Sequence, residues 1–184
     1  MNKIKKILAA NRSEIAIRIF RAAEESGIKT AAIYSKEDRF ALHRFKTDES
    51  YLVGEGKGPI QAYLDINSII DIAKKAGVDA IHPGYGFLSE NPDLADQCEK
   101  NNIIFIGPTK EILNRLGNKT SAKEVADEAG VSTIPSVKVN EENKKTIHDE
   151  VNKIGYPVIV KASWGGGGRG MRVVRSSDEL LEQI

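Results

Sequence analysis

The sequence predicts an α/β fold with an open parallel sheet, and two observations support this prediction. Up to residue 106, short apolar runs alternate with longer segments that have helical periodicity. This alternation of strand and helix is typical of parallel sheets joined by right-handed crossover connections. The composition is that of a globular protein, because 40% of the 184 residues are hydrophobic and 29% are charged.

The first strand and the first helix are predicted between residues 7 and 27. The apolar run Ile7–Ala10 is typical of a buried strand. Asn11 and Glu14 then have the spacing of a capping box. In a capping box the first side chain accepts the backbone N–H of the second residue, and the second side chain accepts the backbone N–H of the first. Gly27 is the residue type that commonly ends a helix. We therefore expect a strand over 7–10 and a helix that is capped by Asn11 and ends before Gly27.

The remaining elements follow from the same periodicities. In the first part of the chain they are strands at 30–34, 51–53, 79–82 and 103–106, and helices at 67–76 and 92–100. After residue 108 they are helices at 109–116, 121–129 and 141–154, strands at 136–139, 158–161 and 171–174, and a helix that begins at 177. The last helix has no stop signal before residue 184, which predicts that the chain is a fragment of a longer protein.

The charge balance and the cysteine content exclude several classes of protein. The 27 basic and 26 acidic residues leave a formal net charge of +1, which argues against a dedicated nucleic-acid or membrane-surface protein. Cys98 is the single cysteine, so the chain forms no internal disulfide and no cysteine-rich zinc site. The N-terminal apolar run is too short for a signal peptide, and no segment is long enough to span a bilayer. We expect a cytoplasmic protein with no membrane or nucleic-acid partner.

A glycine-rich segment at 164–170 is the strongest local signal of function. Five of the six positions from 165 to 170 are glycine, and predicted strands flank the segment. Glycine backbone approaches an anion closely and directs several N–H groups at it. Gly165, Gly167 and Gly170 have the GxGxxG spacing, but the dinucleotide-binding version opens a helix, whereas this segment leads into a strand. A flap over nucleotide phosphates is the favoured interpretation, and a flexible linker is the alternative.

Two lysines accompany this segment. Lys161 ends the strand that precedes the glycines, where its side chain can turn toward phosphate. Lys119 begins a predicted helix, and helix N-termini favour anions. A solvated surface charge is the alternative for each lysine, and for Lys119 alone it is the better interpretation.

The segment 82–92 is the second candidate site. It follows a predicted parallel strand, and ligands bind α/β sheets at the carboxyl ends of such strands. Two glycines, two aromatic residues and Glu90 suit a small polar ring system. The alternative is a tight glycine turn in which Tyr85 and Phe87 pack into the core. The three histidines of the chain lack the spacing of metal ligands, so the sequence predicts no metal site.

Four segments together resemble the biotin carboxylase component of the biotin-dependent carboxylases. They are residues 11–16 (NRSEIA), 82–91 (HPGYGFLSEN), 117–119 (GNK) and 161–172 (KASWGGGGRGMR). The resemblance covers the whole chain in order. It implies a Rossmann-like pre-ATP-grasp domain with an open parallel sheet at 1–107, a helical linker at 108–133, and a partial, truncated α+β ATP-grasp lid subdomain at 134–184.

The resemblance also implies an activity, its cofactors and its site residues. Members of the family use ATP with magnesium or manganese to activate bicarbonate, and then carboxylate biotin on a carrier domain, which would lie outside this chain. The implied ATP-binding residues are Lys119, Lys161, Gly166, Gly167 and Gly168. The implied residues beside biotin and bicarbonate are Tyr85, Gly86, Phe87 and Glu90.

In the family, the metal-binding carboxylates, the bicarbonate-binding side chains and the catalytic base follow the segment that corresponds to this chain. We therefore expect no catalytic and no metal-binding residue within the fragment, and no carboxylase activity from the fragment alone. The implied partners are ATP, bicarbonate and a biotinylated carrier domain, within a homo-oligomeric full-length enzyme.

Finer features resemble the pyruvate carboxylase branch of this family, in which the carboxyl group passes to pyruvate and gives oxaloacetate. They are Ser13, residues 41–46 and 48–51, residues 58–60, and Trp164. One alternative is the biotin carboxylase subunit of an acetyl-CoA or other acyl-CoA carboxylase. More remote alternatives are an NAD-binding Rossmann oxidoreductase and a non-catalytic interaction module. The segment 9–12 (AANR) after the first strand lacks the glycine fingerprint of an NAD site, which argues against the oxidoreductase.

Overall fold

The computed structural model describes residues 4–140, 142–143, 146–161 and 170–184. The chain divides into two compact units, residues 1–114 and residues 115–184, and each is described by itself. Among the described residues, no helix has both the length and the apolar character needed to cross a membrane.

The first unit contains a five-stranded parallel sheet, which confirms the predicted fold class. Its strands are β1 (Lys6–Ala9), β2 (Lys29–Tyr34), β3 (Glu49–Leu52), β4 (Ala80–His82) and β5 (Ile104–Phe105), in the spatial order β3-β2-β1-β4-β5. The chain moves outward from β1 to β3 and then crosses to the other side of β1. This reversal of strand order places a topological switch point between the carboxyl ends of β1 and β4, where open α/β sheets bind ligands.

Helices cover both faces of this sheet. They are α1 (Ser13–Glu25) on one face, and α2 (Ile66–Ala76) with α3 (Pro92–Lys100) on the other. Side chains of β1 alternate between the two cores: Ile7 packs in the α1 core and Leu8 packs in the core of α2 and α3. A strand buried on both faces reads as a continuous apolar run, as the sequence of β1 does.

The C-terminal end of α1 follows the prediction, but its N-terminal end does not. Gly27, with φ 69°, donates to the Glu24 carbonyl, and the next residue donates to the Ala23 carbonyl, a Schellman arrangement. At the other end, the residue in the cap position is Arg12, and no side chain caps the helix. The predicted capping box of Asn11 and Glu14 is wrong, because both side chains bind a different part of the chain instead.

Three short 3-10 turns lie in the connections that follow β2 and β3. Two of them, Glu37–Phe40 and Leu42–Phe45, lie between β2 and β3, and the third, Gln61–Leu64, lies between β3 and α2. None of these turns is part of the sequence prediction. They are the elements that bring Asp38, His43 and Tyr63 to the candidate site.

The second unit is built around a small antiparallel strand pair. Its strands are β6 (Val158–Val160) and β7 (Arg172–Val174), and its helices are α5 (Lys119–Glu128), α6 (Ile147–Ile154) and α7 (Ser177–Gln183). A preceding helix, α4 (Lys110–Gly117), spans the boundary between the units. The core of the second unit is formed by buried apolar side chains: Ile147, Val151, Val174 and Leu180.

Two predicted elements of the second unit differ from the structure. Residues 136–139 are described and do not form a strand. The helix predicted at 141–154 begins at Ile147, since Asn140 and Asn143 form a turn in which each backbone N–H donates to the other side chain, at 2.9 and 2.8 Å. Asparagine side chains compete with helical hydrogen bonds in this way. The predicted domain limits of 1–107, 108–133 and 134–184 stay a prediction.

Candidate functional site

The candidate site is the loop of residues 83–91, which joins β4 to α3 at the switch point of the sheet. Asn11 follows β1, directly beside this loop, and only 3% of the residue is exposed. Its Nδ2 atom donates to the backbone carbonyls of Pro83 at 2.7 Å and Tyr85 at 2.9 Å. The carboxyl end of β1 therefore fixes the path of the loop after β4.

The beginning of the loop requires glycine. Gly84 has a φ of 69°, and a Cβ atom built on it would lie 2.7 Å from Asn11 Nδ2. The Gly84 N–H donates to His82 Nδ1 at 2.9 Å, which assigns the proton of the neutral ring to Nε2. Burial lowers the pKa of His82, so the imidazole stays neutral and continues to accept this bond at neutral pH.

An aromatic pair anchors the middle of the loop. Phe87 has a φ of 42°, which is rare for a residue with a side chain. Its ring stacks on the fully buried ring of Tyr63, with 5.2 Å between the ring centroids and 28° between the planes. The strained backbone of Phe87 is thus held by packing, as is common at functional sites.

Asp38 connects three elements beneath this pair. Its Oδ2 atom accepts a hydrogen bond from the Tyr63 hydroxyl at 2.8 Å and an ion pair from Arg12 Nη1 at 3.2 Å. The Tyr63 hydroxyl in turn accepts the buried N–H of Ser35 at 3.2 Å. Burial, and then the bond to the Asp38 carboxylate, raise the pKa of Tyr63, so the hydroxyl stays protonated as the donor.

Arg12 places a positive charge beside the aromatic pair. Its guanidinium carbon lies 5.8 Å from the ring centroid of Tyr63 and 5.8 Å from that of Phe87, within the range of cation–π attraction. Because Asp38 holds one side of the guanidinium, the cation is fixed in position at this edge of the sheet.

His43 is a buried histidine that contacts the backbone of β2 near the site. It is fully buried, and its Nε2 atom lies 3.1 Å from the carbonyl of Ile33 in β2, which assigns the ring proton to Nε2. Its Nδ1 atom has no hydrogen-bond partner among the described residues. Burial lowers the pKa of His43, since a buried imidazolium would lose its hydration.

The two aromatic residues of the loop have opposite environments. Phe87 is half-buried, whereas Tyr85 is 63% exposed. The Tyr85 hydroxyl donates to a carboxylate oxygen of Glu14 on the first turn of α1, and this bond raises the pKa of Tyr85. The alternative in which both rings pack into the core is therefore wrong for Tyr85. Gly86, with φ 67°, lies beside them, and Glu90 is exposed at the end of the loop.

The predicted ATP-binding residues belong to the second unit. Lys119 is the first residue of α5, whose N-cap Asn118 accepts the backbone N–H groups of residues 120 and 121 at 2.9 and 3.3 Å. Lys161 directly follows β6 and is exposed. Gly166, Gly167 and Gly168 lie outside the described residues. The described ends of this segment agree with the prediction of a strand on each side, since β6 and β7 pair antiparallel.

A search for metal ligands within the described parts of the chain finds no group of three or more histidine, cysteine, aspartate or glutamate side chains that could hold a metal ion. Cys98 is fully buried in the core of α2 and α3, and burial raises the pKa of its thiol to about 12. A neutral, buried thiol is a structural residue and not a nucleophile.

The structure therefore holds Tyr85, Gly86, Phe87 and Glu90 in one loop, and their role beside biotin and bicarbonate stays a prediction. Sequence reasoning missed the contacts that hold this loop. These contacts come from Asn11, Arg12, Glu14, Asp38 and Tyr63. One signal in the sequence could have indicated the Asn11 contacts: Asn11 directly follows a buried strand, and the carboxyl ends of neighbouring parallel strands meet at one edge of a sheet. The adjacency of β1 and β4 is a tertiary property that local patterns do not contain.

Two models of known protein families match the chain. Residues 3–113 match the biotin carboxylase N-terminal domain. The chain belongs to the biotin carboxylase family. Residues 118–184 match the ATP binding domain of the carbamoyl-phosphate synthase L chain, so the two units of the chain correspond to two successive family domains.

Curated relatives of the chain include several larger proteins. Pyruvate carboxylase of Bacillus subtilis is 58% identical over 97% of the chain, and Biotin carboxylase 1 of the same organism is 47% identical over 98% of it. The chain covers 16% of the first relative and 40% of the second. It therefore spans a small part of the length of the proteins that it matches.

Solved structures give the same result. A variant of Rhizobium etli pyruvate carboxylase with the allosteric activator acetyl coenzyme A is 54% identical, with a TM-score of 0.88 over 97% of the chain and 16% of that protein. The biotin carboxylase domain dimer of Hydrogenobacter thermophilus 2-oxoglutarate carboxylase, in complex with MgADP, ADP and bicarbonate, is 43% identical. Its TM-score is 0.92 over 99% of the chain and 40% of that protein.

Proposed function

We propose that the chain is the N-terminal part of a biotin-dependent pyruvate carboxylase. In this proposal the complete enzyme uses MgATP and bicarbonate to carboxylate biotin on a carrier domain, and the carboxyl group then passes to pyruvate to give oxaloacetate. The observation that carries the choice of branch is the difference in identity to two proteins of one organism. It is 58% to the Bacillus subtilis pyruvate carboxylase and 47% to its Biotin carboxylase 1.

The first unit supplies the platform on which biotin and bicarbonate are received. Tyr85 and Gly86 form the exposed part of the loop, Phe87 beside them is half-buried, and Glu90 lies at its end. The ring of Tyr85 offers an apolar surface with a polar edge, which suits the bicyclic ring of biotin. Arg12 adds a fixed positive charge at the same edge, where bicarbonate and a developing carboxylate are anionic.

The second unit supplies contacts to ATP. Lys119 at the N-terminal end of α5 and Lys161 after β6 are both exposed cationic side chains, suited to bind phosphate oxygens. The pairing of β6 with β7 supports a flap in which Gly166, Gly167 and Gly168 cover the phosphates and exclude water. Bound MgATP supplies the phosphoryl group that activates bicarbonate. In this proposal, the contribution of this chain is to hold and cover the nucleotide.

The geometry does not favour the NAD-dependent alternative. The dinucleotide site of a Rossmann fold needs a glycine-rich turn between its first strand and helix, where the backbone approaches pyrophosphate. In this chain Asn11 occupies that turn, and its side chain is committed to the carbonyls of Pro83 and Tyr85.

We also propose the domain limits, the location and the partners of the protein. The domain limits of 1–107, 108–133 and 134–184 and a cytoplasmic location are parts of the proposal. So are a biotinylated carrier domain as partner and a homo-oligomeric enzyme, with no nucleic-acid or membrane partner. The dimeric biotin carboxylase domain of the Hydrogenobacter enzyme supports an oligomer.

The acceptor is tested on the complete protein that contains this chain. An antibody raised to the 184-residue fragment and an avidin probe should recognise one band several times heavier than the fragment. The purified enzyme should form oxaloacetate from pyruvate, ATP and bicarbonate. A lighter band without biotin, together with carboxylation of acetyl-CoA in the presence of a separate carrier, would refute the pyruvate proposal.

The fragment itself should have no activity. Since the proposed metal ligands and catalytic base belong to the part of the family that follows residue 184, the isolated fragment should not hydrolyse ATP in a bicarbonate-dependent reaction. A measurable bicarbonate-dependent ATPase activity of the purified fragment would contradict this expectation.

A further inference from the structure

We infer that Glu14 is a positioning residue for the biotin-binding loop, because its carboxylate holds the ring of Tyr85 in the orientation that receives biotin. This inference rests on the proposed function, since it concerns how the loop of residues 83–91 binds that ligand. Glu14 itself contacts only the chain and not the ligand in this proposal.

The backbone of the loop and the ring of Tyr85 are held by separate contacts. The Asn11 amide fixes the backbone through the carbonyls of Pro83 and Tyr85. The Phe87 ring is fixed by its stacking on Tyr63. These contacts leave the Tyr85 ring projecting from the loop with 63% of the residue exposed, and its hydroxyl bond to Glu14 ties it to α1.

Asn11 and Glu14, whose side chains hydrogen-bond to the loop, are the two residues that the sequence pattern assigns to helix capping. Ser13 has a φ of 55°, a region that residues with side chains rarely adopt. The helix therefore begins abruptly after Arg12 without a side-chain cap. Asn11 and Glu14, three residues apart, are thereby both free of a capping role and both bind the loop. The turn at Ser13 therefore leaves Asn11 and Glu14 to stabilise the loop and not the start of the helix.

An exposed hydrogen bond of this kind adds little to folding stability, because solvent competes for both groups. Its effect is on the population of ring orientations. An untethered tyrosine samples up to three staggered χ1 rotamers. The apparent affinity of a ligand falls in proportion to the fraction of molecules in the binding-competent state. Release of the ring should therefore weaken biotin binding by roughly threefold to tenfold.

The test uses the complete carboxylase with free biotin as the substrate. Glu14→Ala and Tyr85→Phe each remove the contact and should raise KM for biotin roughly threefold to tenfold, with kcat at saturating biotin within about twofold of wild type. The double variant should be no worse than either single variant, because both remove the same bond. Glu14→Gln should restore most of the affinity, since its amide oxygen still accepts the hydroxyl proton.

The matched control is Glu24→Ala, which removes an exposed carboxylate nearly three turns further along the same helix. It should leave KM and kcat unchanged. The inference is overturned if Glu14→Ala behaves like this control, or if it lowers kcat with an unchanged KM for biotin, as a loss of folded enzyme would. A wild-type enzyme that does not carboxylate biotin at all would instead refute the proposed function on which the inference rests.

Discussion

Replacement of Tyr63 by phenylalanine removes one hydroxyl group from the centre of the candidate site and leaves its ring in place. The hydroxyl donates to Asp38 Oδ2 at 2.8 Å and accepts the N–H of Ser35 at 3.2 Å. Hydrogen bonds to charged groups are worth about 1.5–3 kcal/mol, and an unpaired buried N–H costs about 1–3 kcal/mol. Since Asp38 keeps its ion pair with Arg12, we expect Tyr63→Phe to lower the free energy of unfolding by about 2–3 kcal/mol.

Equilibrium urea unfolding, followed by far-ultraviolet circular dichroism, measures this change as a lower midpoint with an unchanged slope. Tyr51→Phe is the matched control, because the Tyr51 hydroxyl also donates to a carboxylate, Glu49 Oε2 at 2.6 Å. That pair is partly exposed, so its loss should cost less than about 1 kcal/mol. The reasoning would be refuted if the two variants lost equal stability, or if Tyr63→Phe unfolded within about 0.5 kcal/mol of wild type.

Three further predictions concern strain, titration and close packing in the first unit. Ser13→Gly should raise the free energy of unfolding by about 0.5–1 kcal/mol, because glycine adopts φ 55° without strain; a lower urea midpoint would count against this account. Burial lowers the pKa of His43 from its ordinary 6.5, so the unfolded state binds more protons below that pH and stability should fall as pH decreases from about 7 to 5. Because burial also lowers the pKa of His82, His43→Gln should reduce but not abolish this dependence in urea titrations, and an unchanged slope would contradict the account. Gly84→Ala and Gly27→Ala both place a side chain at φ 69°, but the first also forces a Cβ atom to 2.7 Å from Asn11 Nδ2, whereas no atom lies within 4 Å of the second. Gly84→Ala should therefore destabilise the protein by about 1–3 kcal/mol more than Gly27→Ala does, and its thermal midpoint should be lower. Equal thermal midpoints for the two variants would show that the Asn11 side chain moves aside without cost.

The parallel sheet could be predicted because its signals are local. Gly27 and Gly77 end α1 and α2 with positive φ, as their positions after amphipathic segments predict. Asn91 caps α3 and Pro92 begins it, which is the usual order of these residues at a helix start. Each of these elements buries one apolar face, so periodicity and end signals agree with the tertiary packing.

The contacts of the candidate site could not be predicted, because they depend on which strands are neighbours. The spacing of Asn11 and Glu14 favours a capping box, yet both side chains bind the loop after β4, which is more than 60 residues away in sequence. Asp38 and Tyr63 lie in 3-10 turns that have no apolar period to reveal them. Local rules fail here because the tertiary partners of these polar groups replace the local ones.

The most direct test of the account is ATP-dependent transfer of radiolabelled bicarbonate to biotin by the complete protein that contains this chain. The account predicts that label enters free biotin only when ATP and a divalent metal are present. It also predicts that Tyr85→Ala reduces this transfer and that Glu24→Ala does not. Label that fails to enter biotin in the wild-type protein, or a Tyr85→Ala variant as active as wild type, would contradict the assignment of the loop at the sheet's carboxyl edge to biotin.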